Sequence, residues 1–123
     1  MSDSPSTAQD ILSAYAAGKR DFAGLSLMGI DLQGADLKGV DFSNADLSDA
    51  NLSRASLRGV DFSYAILRSA NLTDANLKGA MVIGTDLRDT QLMGAVLENA
   101  DYDPQATQFP SGFDPKTMQM SAI

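Results

Sequence analysis

The sequence predicts an all-β fold, a quadrilateral parallel β-helix of about four coils of 20 residues with a cap at each end. Two observations support this prediction. A five-residue repeat runs without interruption from Arg20 to Pro104, and the type of its central residue recurs at intervals of twenty. We therefore divide the 123-residue chain into a leader at 1–19, a repeat region of 17 units at 20–104 and a tail at 105–123.

Each repeat unit reads small, polar, large and then two variable residues. The large central residue is apolar in all 17 units, which independent draws at 44% hydrophobic content would give roughly once in a million. Ten of the small residues are Ala, and the polar residue is Asp or Asn in eleven units. Because the small and large residues are two apart, an extended segment points both of them inward.

A period of five fits neither a helix nor a continuous strand, so each unit must combine a short extended piece with a turn. The turn falls on the two variable positions. Gly occupies the second of them in eight units and Asn in two, as expected for a turn whose third residue has a positive φ. These glycines also disfavour a helix, in which each would be destabilising by about 1 kcal/mol.

The number of units per coil follows from the spacing between central residues of similar type, because residues stacked on neighbouring coils should resemble one another. Phe22, Phe42, Phe62, Val82 and Tyr102 are spaced by twenty, whereas every other central residue is Leu. Four units per coil give four sides, each a parallel ladder whose coils rise by about 4.8 Å, so the rod is about 20 Å long. The same spacing predicts that Phe42 and Phe62 stack on one side.

Units such as Ala45–Asp49, Ala50–Arg54 and Ala75–Gly79 resemble the A(D/N)LXX pattern of the pentapeptide-repeat family. The resemblance covers 85 of the 123 residues and implies a right-handed quadrilateral β-helix. The flanks at 15–22 and 109–115 resemble cyanobacterial members in particular. Members of this family range from DNA mimics that protect topoisomerases to cyanobacterial proteins with no assigned role. The resemblance therefore implies a fold, and no catalytic activity.

Both flanks are expected to cover the ladder edges that a β-helix leaves open at its ends. In the leader, a helix is predicted to begin near Pro5 and to stop at Gly18. Its residues Ile11, Leu12 and Tyr15 would face the first coil.

The repeat must stop at Pro104, because proline cannot adopt the positive φ of that turn position. Beyond it the tail is predicted to plug the last coil with Phe109, Phe113, Met118 and Met120. Asp114 and Pro115 are the predicted N-cap and first residue of a short helical turn.

The composition excludes most enzyme mechanisms, because the chain has no Cys and no His. A net charge of −7 disfavours nucleic acid and anionic membrane surfaces as partners. No apolar run reaches the roughly 18 residues of a membrane helix, and no signal peptide is evident. We expect an acidic cytoplasmic protein that is not an enzyme, uses no cofactor and binds a protein partner.

One column of acidic residues admits two interpretations. Asp21, Asp41, Asp61 and Asp101 would stack at the coil spacing, with Met81 interrupting the column. These carboxylates could bind a cation such as Ca²⁺, or each could accept a hydrogen bond from the backbone of its own turn. We favour the second interpretation, since it also explains the Asp and Asn residues of the other columns.

Two functions fit such a rod. The first is a structural or protein-interaction module, and the second is a DNA mimic that binds a type II topoisomerase such as gyrase, as some members of the resembling family do. A rod of about 20 Å is short against the roughly 34 Å of one turn of B-DNA. Basic residues also interrupt its acidic surface, at Arg54, Arg58, Arg68, Lys78 and Arg88. We therefore favour the interaction module.

Apolar residues at outward positions indicate where a partner would bind. Tyr64, Ile66, Met81 and Ile83 form the candidate protein-contact patch, because a coil of twenty places them side by side. We expect the tail to fold over Met81 and Ile83. The alternative is an interface for a homodimer or for another protein.

Overall fold

The computed structural model describes residues 4–123, and the first three residues of the leader lie outside this range. Regular secondary structure is short: helix α1 spans Ala8–Ala16, strand β1 spans Asp101–Tyr102 and strand β2 spans Ser121–Ala122. Strands β1 and β2 pair in parallel. Turns and single parallel bridges build the rest of the repeat region.

Within the repeat region, each bridge joins polar-slot residues that are twenty positions apart. The bridges fall into four columns. The first ladder joins positions 21, 41, 61, 81 and 101, the second 26, 46, 66 and 86, the third 31, 51, 71 and 91, and the fourth 36, 56, 76 and 96. The chain therefore winds as a parallel β-helix, and the predicted interval of twenty is confirmed.

The turns between the ladders form as the glycine pattern predicts. In a representative unit the Ala50 N–H donates to the Leu47 C=O, three residues earlier, at 3.1 Å. The second variable residue has a positive φ in every unit from 24 to 99, whether it is Gly39 at 73° or Arg54 at 58°. Glycine is therefore favoured at this position but not obligatory.

The central residues fill the interior of the β-helix. Sixteen of the 17 are buried, and the exception, Leu92 in the last coil, is half-buried. The ring centroids of Phe42 and Phe62 lie 5.9 Å apart with the rings stacked, and Phe22 lies 5.9 Å from Phe42 on the other side. The predicted aromatic stack is thus confirmed.

Helix α1 begins at a capping box in which Thr7 and Asp10 exchange hydrogen bonds. It starts later than predicted, because Thr7 supplies the N-cap in place of a residue near Pro5. It ends at Ala16 with Ala17 as the C-cap, and Gly18 follows with a φ of 100°. The N–H groups of Gly18 and Lys19 donate to carbonyls of the last turn, as in a Schellman motif. Within residues 4–123, no helix is long and apolar enough to cross a membrane.

One face of α1 meets the core, and one predicted contact is wrong. Ile11 is fully buried, and the Tyr15 hydroxyl donates to the Lys38 C=O at 3.0 Å. Leu12 was expected on the same face but is 38% exposed. The reason is helical spacing: the packed face runs through Ile11 and Ala14, three positions apart, and turns Leu12 towards solvent.

The tail rejoins the ladders after a two-residue insertion. Gln108 pairs with Asp86, 22 positions earlier, and the Phe109 ring lies 5.6 Å from that of Tyr102. Residues 109–118 then share no backbone hydrogen bond with the repeat region, until β2 pairs with β1. The predicted helical turn is a run of turns at 115–119. The tail side chains that pack against the core are Phe109, Phe113, Met118 and Met120.

Replacing Phe62 with Ala should destabilise the protein by about 3–5 kcal/mol, because the cavity would open in the middle of the buried column of central residues, between Phe42 and Val82. Chemical denaturation measures this loss as a change in the free energy of unfolding. The matched control is Phe113→Ala, which removes a half-buried ring at the end of the molecule and should be less damaging. Equal losses for both variants would contradict the assignment of Phe62 to the centre of the core.

Candidate functional site

The structure brings the four residues of the candidate patch together on two consecutive coils. Met81 belongs to the first ladder and Ile66 to the second, while Tyr64 and Ile83 are turn residues between those ladders. The Tyr64 N–H donates to the Ile83 C=O at 2.9 Å, so the two turns are joined directly. Backbone pairing therefore fixes the relative position of all four side chains.

Gly84 belongs to this site in addition to its predicted role as a turn glycine. The Tyr64 ring lies so close to Gly84 that a Cβ at position 84 would overlap its ring carbons. The signal was present in the sequence, because Gly84 stands twenty positions after Tyr64 and a missing side chain there makes room for a ring. The Tyr64 ring thus packs directly against Gly84.

The exposure of the patch is uneven. Tyr64 is 59% exposed and Ile66 is 40% exposed, whereas Met81 and Ile83 are half-buried. The tail approaches the patch through Thr107, which accepts a hydrogen bond from the Gly84 N–H at 3.2 Å. Two of the patch side chains nevertheless keep large exposed surfaces.

Carboxylates of the acidic column accept hydrogen bonds from the backbone of their own turns. Oδ1 of Asp41 and Oδ1 of Asp61 each accept a hydrogen bond at 2.8 Å from the N–H two residues later. The same bond forms at ten of the eleven Asp and Asn polar slots, at Asp21, Asp31, Asp36, Asp41, Asp46, Asn51, Asp61, Asn71, Asn76 and Asp86. The backbone interpretation of these residues is therefore confirmed. Among residues 4–123, no group of three or more acidic side chains is arranged to hold a metal ion.

A charged pair borders the patch on the side of the second ladder. Asp86, bridged to Ile66, accepts two hydrogen bonds from the Arg88 guanidinium, at 3.0 and 2.8 Å. These bonds hold the pKa of the Asp86 carboxyl below its ordinary value, and partial burial opposes the shift. Asp86 therefore stays ionised beside Ile66 at neutral pH, giving the apolar patch a charged rim.

Comparison with known proteins identifies the family. Eight copies of the pentapeptide-repeat model match residues 26–63 and 70–101. The chain belongs to the pentapeptide-repeat family. Pentapeptide-repeat proteins are right-handed β-helices, so the winding implied by the resemblance is confirmed. A comparison with curated proteins finds no match.

Three solved structures of pentapeptide-repeat proteins are similar to this chain. The protein alr5209 from Nostoc PCC 7120 is 43% identical with a TM-score of 0.95, over 99% of this chain and 100% of that one. Rfr23 from the cyanobacterium Cyanothece 51142 is 29% identical with a TM-score of 0.41, over 72% and 63%. HetL, involved in heterocyst differentiation regulation in the cyanobacterium Nostoc sp. strain PCC 7120, is 35% identical with a TM-score of 0.42, over 80% and 47%. The resemblance to cyanobacterial members is confirmed.

Substitutions at Asp61 separate its role in the turn from cation binding. Asp61→Ala removes the acceptor for the Ser63 N–H and should destabilise by about 1 kcal/mol, whereas Asp61→Asn keeps an acceptor oxygen and should stay within about 0.5 kcal/mol of the parent. Thermal unfolding with and without Ca²⁺ measures both effects. If Ca²⁺ raised the melting temperature of the parent but not that of Asp61→Asn, the carboxylate would be a cation ligand and our interpretation would fail.

Proposed function

We propose that this pentapeptide-repeat protein is a non-enzymatic interaction module that presents Tyr64, Ile66, Met81 and Ile83 to another protein. The exposure of Tyr64 carries the proposal: the residue is 59% exposed although its ring packs against Gly84. A rigid, exposed aromatic ring loses little conformational entropy on binding and buries much apolar area. Such a residue is suited to anchor a protein interface.

The body of the proposed module is a quadrilateral β-helix of about four coils at 20–104, between caps at 1–19 and 105–123. The four columns of bridges support four sides. The burial of Ile11 supports an N-terminal cap, and the contact of Phe109 with Tyr102 supports a C-terminal one. Caps of this kind keep the ladder edges from pairing with other molecules. Partners are then expected to bind to the outward-facing side chains of the coils.

The chemistry around the patch supports a protein partner with an apolar centre and a basic rim. Asp61 and Asp86 flank the apolar side chains, and the chain as a whole carries a net charge of −7. An acidic field steers basic protein surfaces towards the patch and repels phosphates. We accordingly place the protein in the cytoplasm, with no role at nucleic acids or membranes.

The proposal that the rod mimics DNA and binds gyrase has less support. A DNA mimic needs freely exposed carboxylates in rows, but the acids of the polar slots bond to their own turns. Lys78 and Glu98 also neutralise each other across 3.2 Å. Unchanged supercoiling by gyrase in the presence of the protein would remove this alternative, whereas inhibition would revive it.

Tyr64→Asp should abolish partner binding without unfolding the protein. The fold should tolerate Asp at this turn position, because Asp49 and Asp74 occupy it in other units with φ of 61° and 59°. The matched control is Met28→Asp, a turn residue that is 61% exposed on the first coil. Affinity capture from a cyanobacterial lysate, with sedimentation of the purified chain beside it, compares the three proteins.

We expect the parent and Met28→Asp to retain the same bound protein and Tyr64→Asp to lose it. A homodimer that Tyr64→Asp dissociates would show that the partner is a second copy and would still support the patch. Binding that survives Tyr64→Asp, or a parent that captures nothing and sediments as a monomer, would refute the proposal.

A further inference from the structure

The last coil leaves part of its ladder edge unpaired. The tail extends the second ladder, where Gln108 pairs with Asp86, and the first, where Ser121 pairs with Asp101. Between these points the loop at 109–118 passes the third ladder and most of the fourth without a backbone hydrogen bond to either. We call residues 90–97 the open edge.

The open edge carries backbone groups that are paired in every earlier coil. One coil before it, the Leu72 N–H donates to the Gln91 C=O at 2.8 Å and the Leu77 N–H donates to the Val96 C=O at 2.7 Å. Within residues 4–123, five of the groups that are paired across the ladders in earlier coils have no partner here: the N–H of Leu92, Gly94 and Leu97 and the C=O of Thr90 and Ala95. These groups alternate in the register that a parallel strand requires.

Two grooves lie directly over these unpaired groups. The larger, of about 380 Å³, is lined by Leu92 and Met93 from the coil and by Pro110, Phe113 and Met118 from the tail. The smaller, of about 240 Å³, continues along Val96 and Leu97. The tail covers the side chains of Thr90, Ala95 and Leu97, which are at most 5% exposed, and the two grooves are the spaces that it leaves along these residues.

The surroundings of the open edge are acidic. The Asp74 carboxylate lies against Gly94, inside the space a Cβ would occupy there. Asp74 and Asp89 are both exposed, and within the described part of the chain neither forms a salt bridge. An occupant of the open edge with Lys or Arg at its turn positions would complement these charges.

We propose that the open edge binds an extended, basic segment of a partner protein, which adds to the third and fourth ladders as a parallel strand. Its N–H groups donate to the carbonyls of Thr90 and Ala95, and its carbonyls accept from the N–H groups of the edge. Its large apolar side chain enters the groove between Leu92 and Phe113. This site is independent of the Tyr64 patch, so either proposal can fail alone.

A second copy of the chain is a poorer occupant. The edge that could pair with this one belongs to the first coil, where the exposed Asp31 of the third ladder would bring a further negative charge to the acidic open edge. A short basic segment of another protein meets no such repulsion.

The test uses the full chain and a synthetic peptide, acetyl-Ala-Asn-Leu-Lys-Gly-Ala-Asn-Leu-Lys-Gly-amide, which repeats residues 75–79 twice. Amide hydrogen exchange, read by NMR, should slow by about tenfold or more at Leu92, Gly94 and Leu97 on saturation with peptide. The amides of Asp31 and Asp36 in the first coil, which have no backbone partner among residues 4–123, serve as internal controls and should not change. A peptide methylated on the backbone nitrogen of both Asn residues should give no protection.

Two surface variants make the test specific. Met93→Lys places a positive charge beside the groove and should weaken peptide binding by about tenfold, while the fold tolerates it because Met93 is 81% exposed. Met28→Lys, at the same position of a unit in the first coil, should bind as the parent does.

Three outcomes would overturn the proposal. The first is unchanged exchange at the open edge with saturating peptide, and the second is equal protection by the methylated peptide. The third is protection that rises with protein concentration in the absence of peptide, which would assign the edge to a second copy.

Discussion

Each coil of this protein depends on the backbone hydrogen bonds that join a residue to the one twenty positions later. Because side chains project from a paired ladder in fixed directions, a slip of one residue would turn the inward side chains outward. The strict five-residue period is the sequence consequence of this pairing. It places Phe42 on Phe62 and aligns three columns of Leu beside this mostly aromatic column, so the core follows from the register of the backbone.

The start of the tail shows how a departure from the register is accommodated. The two additional residues before Gln108 move the tail backbone away from the turn at Gly84. The Thr107 hydroxyl then lies where a backbone carbonyl would accept from the Gly84 N–H. It accepts from the Gly84 N–H at 3.2 Å and donates to the Val82 C=O at 2.7 Å. The Thr107 hydroxyl thus replaces the backbone carbonyl that accepts the equivalent hydrogen bond one coil earlier, where the Tyr64 N–H donates to the Ile83 C=O. The ladder resumes at Gln108.

The repeat restricts the inward positions and leaves the outward ones free. Any residue that tolerates the turn conformation can stand at an outward position, so binding properties can vary there without disturbing the core. Tyr64 illustrates this freedom: its backbone adopts the φ of 59° that Gly or Asn adopts in other units, while its ring is presented to solvent. Because different residues determine the core and the surface, the outward residues can be suited to a partner without loss of stability, as a protein-interaction module requires.

Periodic features could be predicted from the sequence, and features that depend on the path of non-repeating segments could not. The stack of Phe42 and Phe62 follows from spacing alone, and so does the neighbourhood of Tyr64 and Ile83. The exposure of Leu12 depends on the direction from which α1 approaches the core, which no repeat encodes. The open edge at Leu92 depends on where the loop at 109–118 runs, and that path follows from packing of the tail rather than from a pattern.

Deleting one complete coil tests the central claim, that pairing at intervals of twenty determines the fold. Removal of residues 41–60 preserves the register of every remaining ladder. The account predicts a folded protein in which NMR detects contacts between the rings of Phe22 and Phe62, at the separation of about one coil. Removal of only residues 41–45 should instead place Leu47, and no aromatic ring, next to Phe22. A twenty-residue deletion that unfolds, or that folds without the contact between Phe22 and Phe62, would contradict the account.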